Sequence, residues 1–256
     1  TQWSTLFPYT TLFRSLEASD RPINAAAANI RLPRGEVLIR EDLDAPVMIV
    51  NTELEAISCQ TVRQPDTDRF RTWEAAGLTH VSFQAQLTRN EKYLRDFGVA
   101  PPAPSQQINR IYLQPLYDAA LHHLNRWVNG GPPPPSQPLI DFDGDGEVIR
   151  DKYGLATGGI RLPQVAAPVA VNSSAPVTDD FAGRLRGTNR PFDPATLAAL
   201  HRDETDYLAK FSQAAAAAVE AGVMSPRDVE PAVAEAAQEY RRAVEIGARQ
   251  PAPAAG

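Results

Sequence analysis

The chain has 256 residues, 43% hydrophobic and 22% charged, enough for one or two domains with a real core. Its 31 acidic side chains outnumber 25 lysines and arginines, for a net charge of −6, and no basic run appears; this argues against a nucleic-acid partner and for a small neutral or apolar one. The single cysteine, Cys59, excludes an intrachain disulfide and any cysteine metal cluster, and no apolar stretch approaches the ~20 residues of a membrane span.

Residues 5–15, from Thr5-Leu6-Phe7-Pro8 to Phe13-Arg14-Ser15, read residue for residue like a translated sequencing adapter. Residues 1–15 are therefore expected to be an assembly artefact and are left out of fold reasoning. The natural chain is then expected to have been cut before Leu16, so that residues 16–247 form the C-terminal part of a longer domain.

From Leu16 to Arg40 the pattern is weak, broken by Arg21-Pro22 and Pro33-Arg34-Gly35, and predicts a loop or short helix. Val47 to Val50 is an apolar, β-branched run that suits a strand buried on both faces. Phe70 to Glu74 alternates with period two and predicts the next strand, joined to the first by a brief crossover between Ile57 and Arg63. Ile108 to Val128 has mostly helical spacing, stopped by Gly130-Gly131 and Pro132 to Pro135, and closes a first segment of strands and helix over 16–131.

Residues 132–194 are rich in Pro and Gly and predict an irregular but ordered wrap with short β pieces at Val148–Arg150 and Val169–Val171. Residues 195–247 are helical. Leu197, Leu200, Leu208, Phe211, Ala215, Ala218 and Val219 line one face, and Val229, Val233, Ala237, Tyr240 and Val244 line another. Ser225-Pro226 with Asp228 suggests a capping box at the start of the last helix, and residues 248–256 read as a disordered tail.

The chemistry lies at the ends of the two strands. Glu53 and Glu55 follow the first, and His80 follows the second, 25 positions beyond Glu55. Residues at the C-terminal ends of parallel strands converge at one edge of an α/β sheet. A histidine there can take a hydroxyl proton while a carboxylate fixes its tautomer. On spacing alone the two glutamates read as solvated strand-end charges.

The segments Ile39 to Val47, Asn51-Thr52-Glu53-Leu54-Glu55, Arg63 to Gly77 and Gly158-Gly159-Ile160-Arg161-Leu162-Pro163 add a resemblance to the C-terminal half of the α/β-hydrolase family, covering nearly everything after residue 15. The resemblance implies an α/β fold in which the strands at Val47 and Phe70 are the last two parallel strands of the sheet, with packing helices. It implies a serine hydrolase acting on carboxylic esters or related acyl bonds, without cofactor or metal. The family's Gly-x-x-Asp falls on Thr52-Glu53-Leu54-Glu55, so Glu55 takes the acid's place, with Thr for Gly and Glu for Asp, and Glu53 remains the alternative acid. His80 takes the place of the base. No Gly-x-Ser-x-Gly nucleophile elbow occurs in the chain, so the polypeptide is expected to be inactive by itself. The alternative is a non-catalytic binding or structural module on the same kind of sheet.

Three other signals carry less. Asp141-Phe142-Asp143-Gly144-Asp145-Gly146 imitates the start of a calcium loop, but Lys152 stands where the twelfth-position glutamate should be, and an acidic turn is the better reading. His122 and His123 are adjacent on a helix and do not share a face, and Gly158 to Pro163 suits either a site-lining turn or a tight turn with Arg161 bonded to carbonyls. Reading the coding DNA tests the adapter assignment: codons that spell the adapter are expected, and any other codons would refute it.

Overall fold

The computed structural model describes residues 38–40, 42 and 44–249. The expectations for residues 1–15, for most of 16–40 and for the tail from 250 lie outside them. Two parallel strands form the centre, β1 (Val47–Thr52) and β2 (Phe70–Ala75), paired from Val47 with Phe70 to Thr52 with Ala75. Between them lie helix α1 (Glu53–Cys59) and a single 3-10 turn, Gln60–Val62. The crossover is thus brief, as expected, but it begins at Glu53 and not at Ile57. Both glutamates stand in its first turn, where the helix dipole favours negative charge.

The burial of the two strands reverses the sequence expectation. Every residue of β2 is buried, whereas Val47 to Val50 of β1 are only half-buried. The cause is what lies beside each strand. The far edge of β2 is covered by Gly158–Ile160, where Ile160 donates to the Glu74 carbonyl at 2.7 Å and Ala76 donates to the Ile160 carbonyl at 3.0 Å. Gly159 makes this approach possible: its φ is +65°, and a Cβ there would stand 2.7 Å from Ile140 Cγ1 and 3.0 Å from the Glu74 carbonyl. The other edge of β1 has no strand partner among the described residues.

Helix α2 (Phe83–Phe97) follows β2 and was not foreseen in the sequence, although Ser82 caps its start by accepting from the Ala85 amide at 3.3 Å and Gly98 ends it with φ +66°. Gln86 is its one buried residue among those described, and Leu87, Tyr93, Leu94 and Phe97 are exposed, Phe97 to 70%. Helix α3 (Gln114–Val128) starts later than Ile108 because Pro115 sets its first turn, and Ile108 to Leu113 run outside helix and strand. The Pro-rich segment after α3 lies along β2: Trp73 donates its indole N–H to the Pro135 carbonyl at 2.8 Å, and Arg71 bonds Ser136 at 2.5 Å.

The wrap then folds the acidic segment into a small antiparallel turn, with the Asp143 carboxylate accepting from the amides of Asp145 and Glu147 at 2.9 Å each. Helix α4 (Pro163–Ala166), strand β3 (Ala170–Ser173), helix α5 (Phe181–Arg184) and strand β4 (Thr188–Pro191) follow, β3 and β4 pairing antiparallel.

Helices α6 (Pro194–Leu200), α7 (Glu204–Glu220) and α8 (Val229–Arg249) complete the chain. Ser225 makes no side-chain cap; Pro226–Asp228 is instead a 3-10 turn leading into α8. The buried face of α8 is Ala232, Ala236, Ala243 and Gly247, with Val229, Val233 and Tyr240 at its margin and Val244 exposed. Small side chains let α8 lie close against its neighbours, so the face is rotated from the one the larger residues suggested. Trp73, Leu78, Ile111, Leu116, Tyr207 and Phe211 are nearly inaccessible and join strands and helices in one core.

A cavity of about 30 Å³ remains between α7, α8 and β3, lined by Arg110, Tyr207, Glu235 and Glu239 among others. Burial, reinforced by Glu239 and opposed by Arg110, pushes the Glu235 carboxyl up to about 7. The folded chain therefore holds this proton at a pH where the unfolded chain, with a carboxyl near ~4.3, has released it, and stability falls as pH rises between those values. Glu235→Gln removes this loss. Urea unfolding is expected to find the variant more stable than wild type at pH 8, with the difference gone by about pH 4.

Candidate active site

The parallel pairing brings the ends of β1 and β2 level, with Asn51 beside Glu74 and Thr52 beside Ala75. At that edge β1 turns into α1, which carries Glu55 at its third position, and β2 passes through Gly77 to His80. Gly77 has φ +73° among close neighbours: a Cβ would stand 3.1 Å from Val165 Cγ2 and 3.2 Å from the Asn172 carbonyl. No other residue makes this tight a departure from a strand without strain.

His80 Nδ1 lies 2.8 Å from Glu55 Oε1, and both side chains are about three-quarters buried, 24% and 23% exposed. The second carboxylate oxygen of Glu55 accepts from the Thr52 backbone N–H at 3.2 Å and from the Thr52 hydroxyl. Glu55 thus reaches back to the N-cap residue of its own helix in the manner of a capping box while its other oxygen meets the imidazole. The two departures from Gly-x-x-Asp fit each other: a glutamate's longer arm reaches His80, and Thr52 supplies two donors that hold it. Burial acts to raise the Glu55 pKa, but His80 and Thr52 outweigh it and keep the carboxyl below the usual glutamate range.

Glu53 goes elsewhere. It is completely buried; Oε2 accepts from the Gly77 amide at 2.8 Å, and Oε1 meets Arg150 at 2.6 Å, the Ser174 hydroxyl at 2.8 Å and the Ser174 amide at 3.1 Å. Of the two carboxylates considered from the sequence, Glu55 is the one brought to the His80 ring. The partners of Glu53 were not anticipated. Thr52 with Glu55 three residues on was a legible capping pattern, but Arg150 and Ser174 are about 100 residues away (150 − 53 = 97, 174 − 53 = 121) and carried no local signal.

The residues set aside in the sequence are accounted for by local bonds. Arg161 donates to the carbonyls of Ala156 at 2.5 Å and Val165 at 3.2 Å. His123 bonds the Gly222 carbonyl at 2.9 Å and meets Trp73 edge-on, while His122 is exposed. Among the described residues, no group of three or more His, Cys, Asp or Glu side chains is arranged to hold a metal ion, and no helix is long and apolar enough to cross a membrane.

A model of the alpha/beta hydrolase domain matches residues 9–234. The chain belongs to this alpha/beta hydrolase family. The match takes in both strand ends, the wrap and the start of α8, and it begins inside residues 5–15, the stretch that resembles an adapter. No curated protein and no solved structure matches this alpha/beta hydrolase domain.

The depressed Glu55 carboxyl gives a stability term with a definite sign. A carboxyl that ionises more readily when folded stabilises the fold above its unfolded pKa, and that contribution is lost as pH falls through the folded value. Glu55→Gln is expected to be less stable than wild type at pH 7 and to converge with it in acid. Denaturant unfolding from pH 7 to pH 2 measures this, and a constant difference across the range would contradict it.

Proposed function

We propose that this domain is the acid-and-base part of a serine hydrolase acting on carboxylic esters or related acyl bonds. The observation that carries the reading is the 2.8 Å contact between Glu55 Oε1 and His80 Nδ1 at the C-terminal edge of two parallel strands. With Nδ1–H donating to Glu55, the lone pair of His80 is on Nε2. That nitrogen takes the proton of an attacking serine, and the imidazolium formed is stabilised by Glu55. It then returns the proton to the departing alcohol, leaving an acyl-serine that water hydrolyses with His80 again acting as base. No cofactor enters the scheme.

The serine in this reading comes from polypeptide outside these 256 residues, since no Gly-x-Ser-x-Gly occurs among them. The same absence supports a second reading, a non-catalytic module in which the sheet edge scaffolds the helices and His80 does no chemistry.

Two experiments separate the readings. The purified chain is expected to give no turnover of a short-chain nitrophenyl ester above background. Turnover that disappears in His80→Ala would refute the proposed absence of the nucleophile. Recovery of a longer gene carrying the elbow, whose product loses about 10⁴-fold in kcat on His80→Ala, supports the enzyme; a longer gene product unaffected by that change supports the module.

A further inference from the structure

Glu55 holds the His80 ring, but a ring is only as well placed as the backbone that carries it. We infer that Glu53 is the positioning residue for His80, acting through the amide of Gly77. This rests on the reading of Glu55 and His80 as the acid and base. Glu53 sits two residues before Glu55 on the first turn of α1, and its Oε2 accepts from Gly77, three residues before His80, at 2.8 Å. One rigid helix start therefore grips the histidine segment twice, at the backbone through Glu53 and at the imidazole through Glu55.

The rest of the segment is pinned to match. The Gly77 carbonyl accepts from Asn109 Nδ2 at 2.6 Å. Beyond it the Leu185 carbonyl accepts from the Thr79 hydroxyl at 3.0 Å and from the Val81 amide at 2.8 Å. His80 hangs between these anchors. Asn109 and Leu185 tie the segment to the body of the domain, whereas Glu53 ties it to the element that carries the acid, and so sets the distance between acid and base.

A fully buried carboxylate is costly unless every lone pair is bonded and its charge is paired. Glu53 meets both conditions with four donors, including the Arg150 guanidinium at 2.6 Å. A glutamine would present an N–H₂ to one set of these donors and could satisfy only the other. The Arg150 guanidinium and both Ser174 donors meet the same oxygen, so the amide oxygen turns to them and the contact to Gly77 is the one lost.

Glu74 provides the control. It is equally buried, lies near the end of the same sheet, pairs with Arg63 and accepts from the Ile140 amide, with no bond to residues 77–81 among those identified. A merely structural carboxylate should behave as Glu74 does. The test is proton–nitrogen NMR of the full chain labelled on its four histidines, with His80→Ala to assign the ring, and amide exchange at Gly77.

In wild type and in Glu74→Gln the His80 Nδ1–H is expected as a slowly exchanging downfield resonance. In Glu53→Gln it should be lost although Glu55 remains, with exchange at Gly77 at least about tenfold faster and the far-UV spectrum unchanged. Glu53→Asp keeps the carboxylate but withdraws it from the Gly77 amide; the same losses are expected there, and this variant carries the test where the glutamine variant does not fold. A wild-type His80 signal in Glu53→Asp or in folded Glu53→Gln, or an equal loss in Glu74→Gln, would overturn the inference. A signal unchanged by Glu55→Gln would instead overturn the acid-and-base reading on which it rests.

Discussion

Two carboxylates without access to water, Glu53 just past the end of β1 and Glu74 near the end of β2, constrain the rest of this domain. Each meets an arginine, and each must be bonded where it lies. Their partners come from across the chain: Arg63 from the crossover and Ile140 from the wrap for Glu74, Arg150 and Ser174 from the wrap and Gly77 from the histidine segment for Glu53. The Pro- and Gly-rich wrap, which has little regular structure of its own, is thereby fastened to the sheet at defined points. Further contacts, among them the Gly158–Ile160 edge and the proline run against Trp73, run along β2.

What could be read in the sequence was local. The apolar run at Val47, the strand at Phe70 and the helices around Phe211 and Ala232 follow from periodicity, which a single sequence carries. The neighbourhood of Glu55 and His80 was legible through resemblance and strand-end geometry, and the exchange of Gly-x-x-Asp for Thr-x-x-Glu became intelligible once Thr52 was seen to grip the longer acid. The unread parts depend on distance along the chain. Nothing near Glu53 announces Arg150 or Ser174, and the relative burial of β1 and β2 is decided by Gly158–Ile160, some 85 residues after β2 (160 − 75). Helix α2 was overlooked because its apolar residues do not pack on the core, although its Ser82 and Gly98 caps were in view.

Two surfaces border the dyad and remain uncovered by the described residues: the free edge of β1 and the apolar stripe of α2. An open strand edge presents unpaired backbone donors and acceptors, and a mostly exposed helix of 15 residues is marginal in water. These surfaces are the weak points of the domain in isolation. They lie beside β1, which leads into Glu55, and just after His80, so any chain that pairs with the β1 edge or packs on α2 also alters the surroundings of Glu55 and His80.

The double use of Glu55 has a consequence for how this site can change. One oxygen starts a helix through Thr52, and the other meets an imidazole. Shortening the acid to aspartate would break one contact or the other, and replacing Thr52 would free an arm that then has no fixed direction. Positions 52 and 55 therefore act as one unit, and the route from this pair to a glycine and an aspartate passes through intermediates that lose the bond to Thr52 or the contact with His80. Such a pair, once acquired, is hard to exchange one codon at a time.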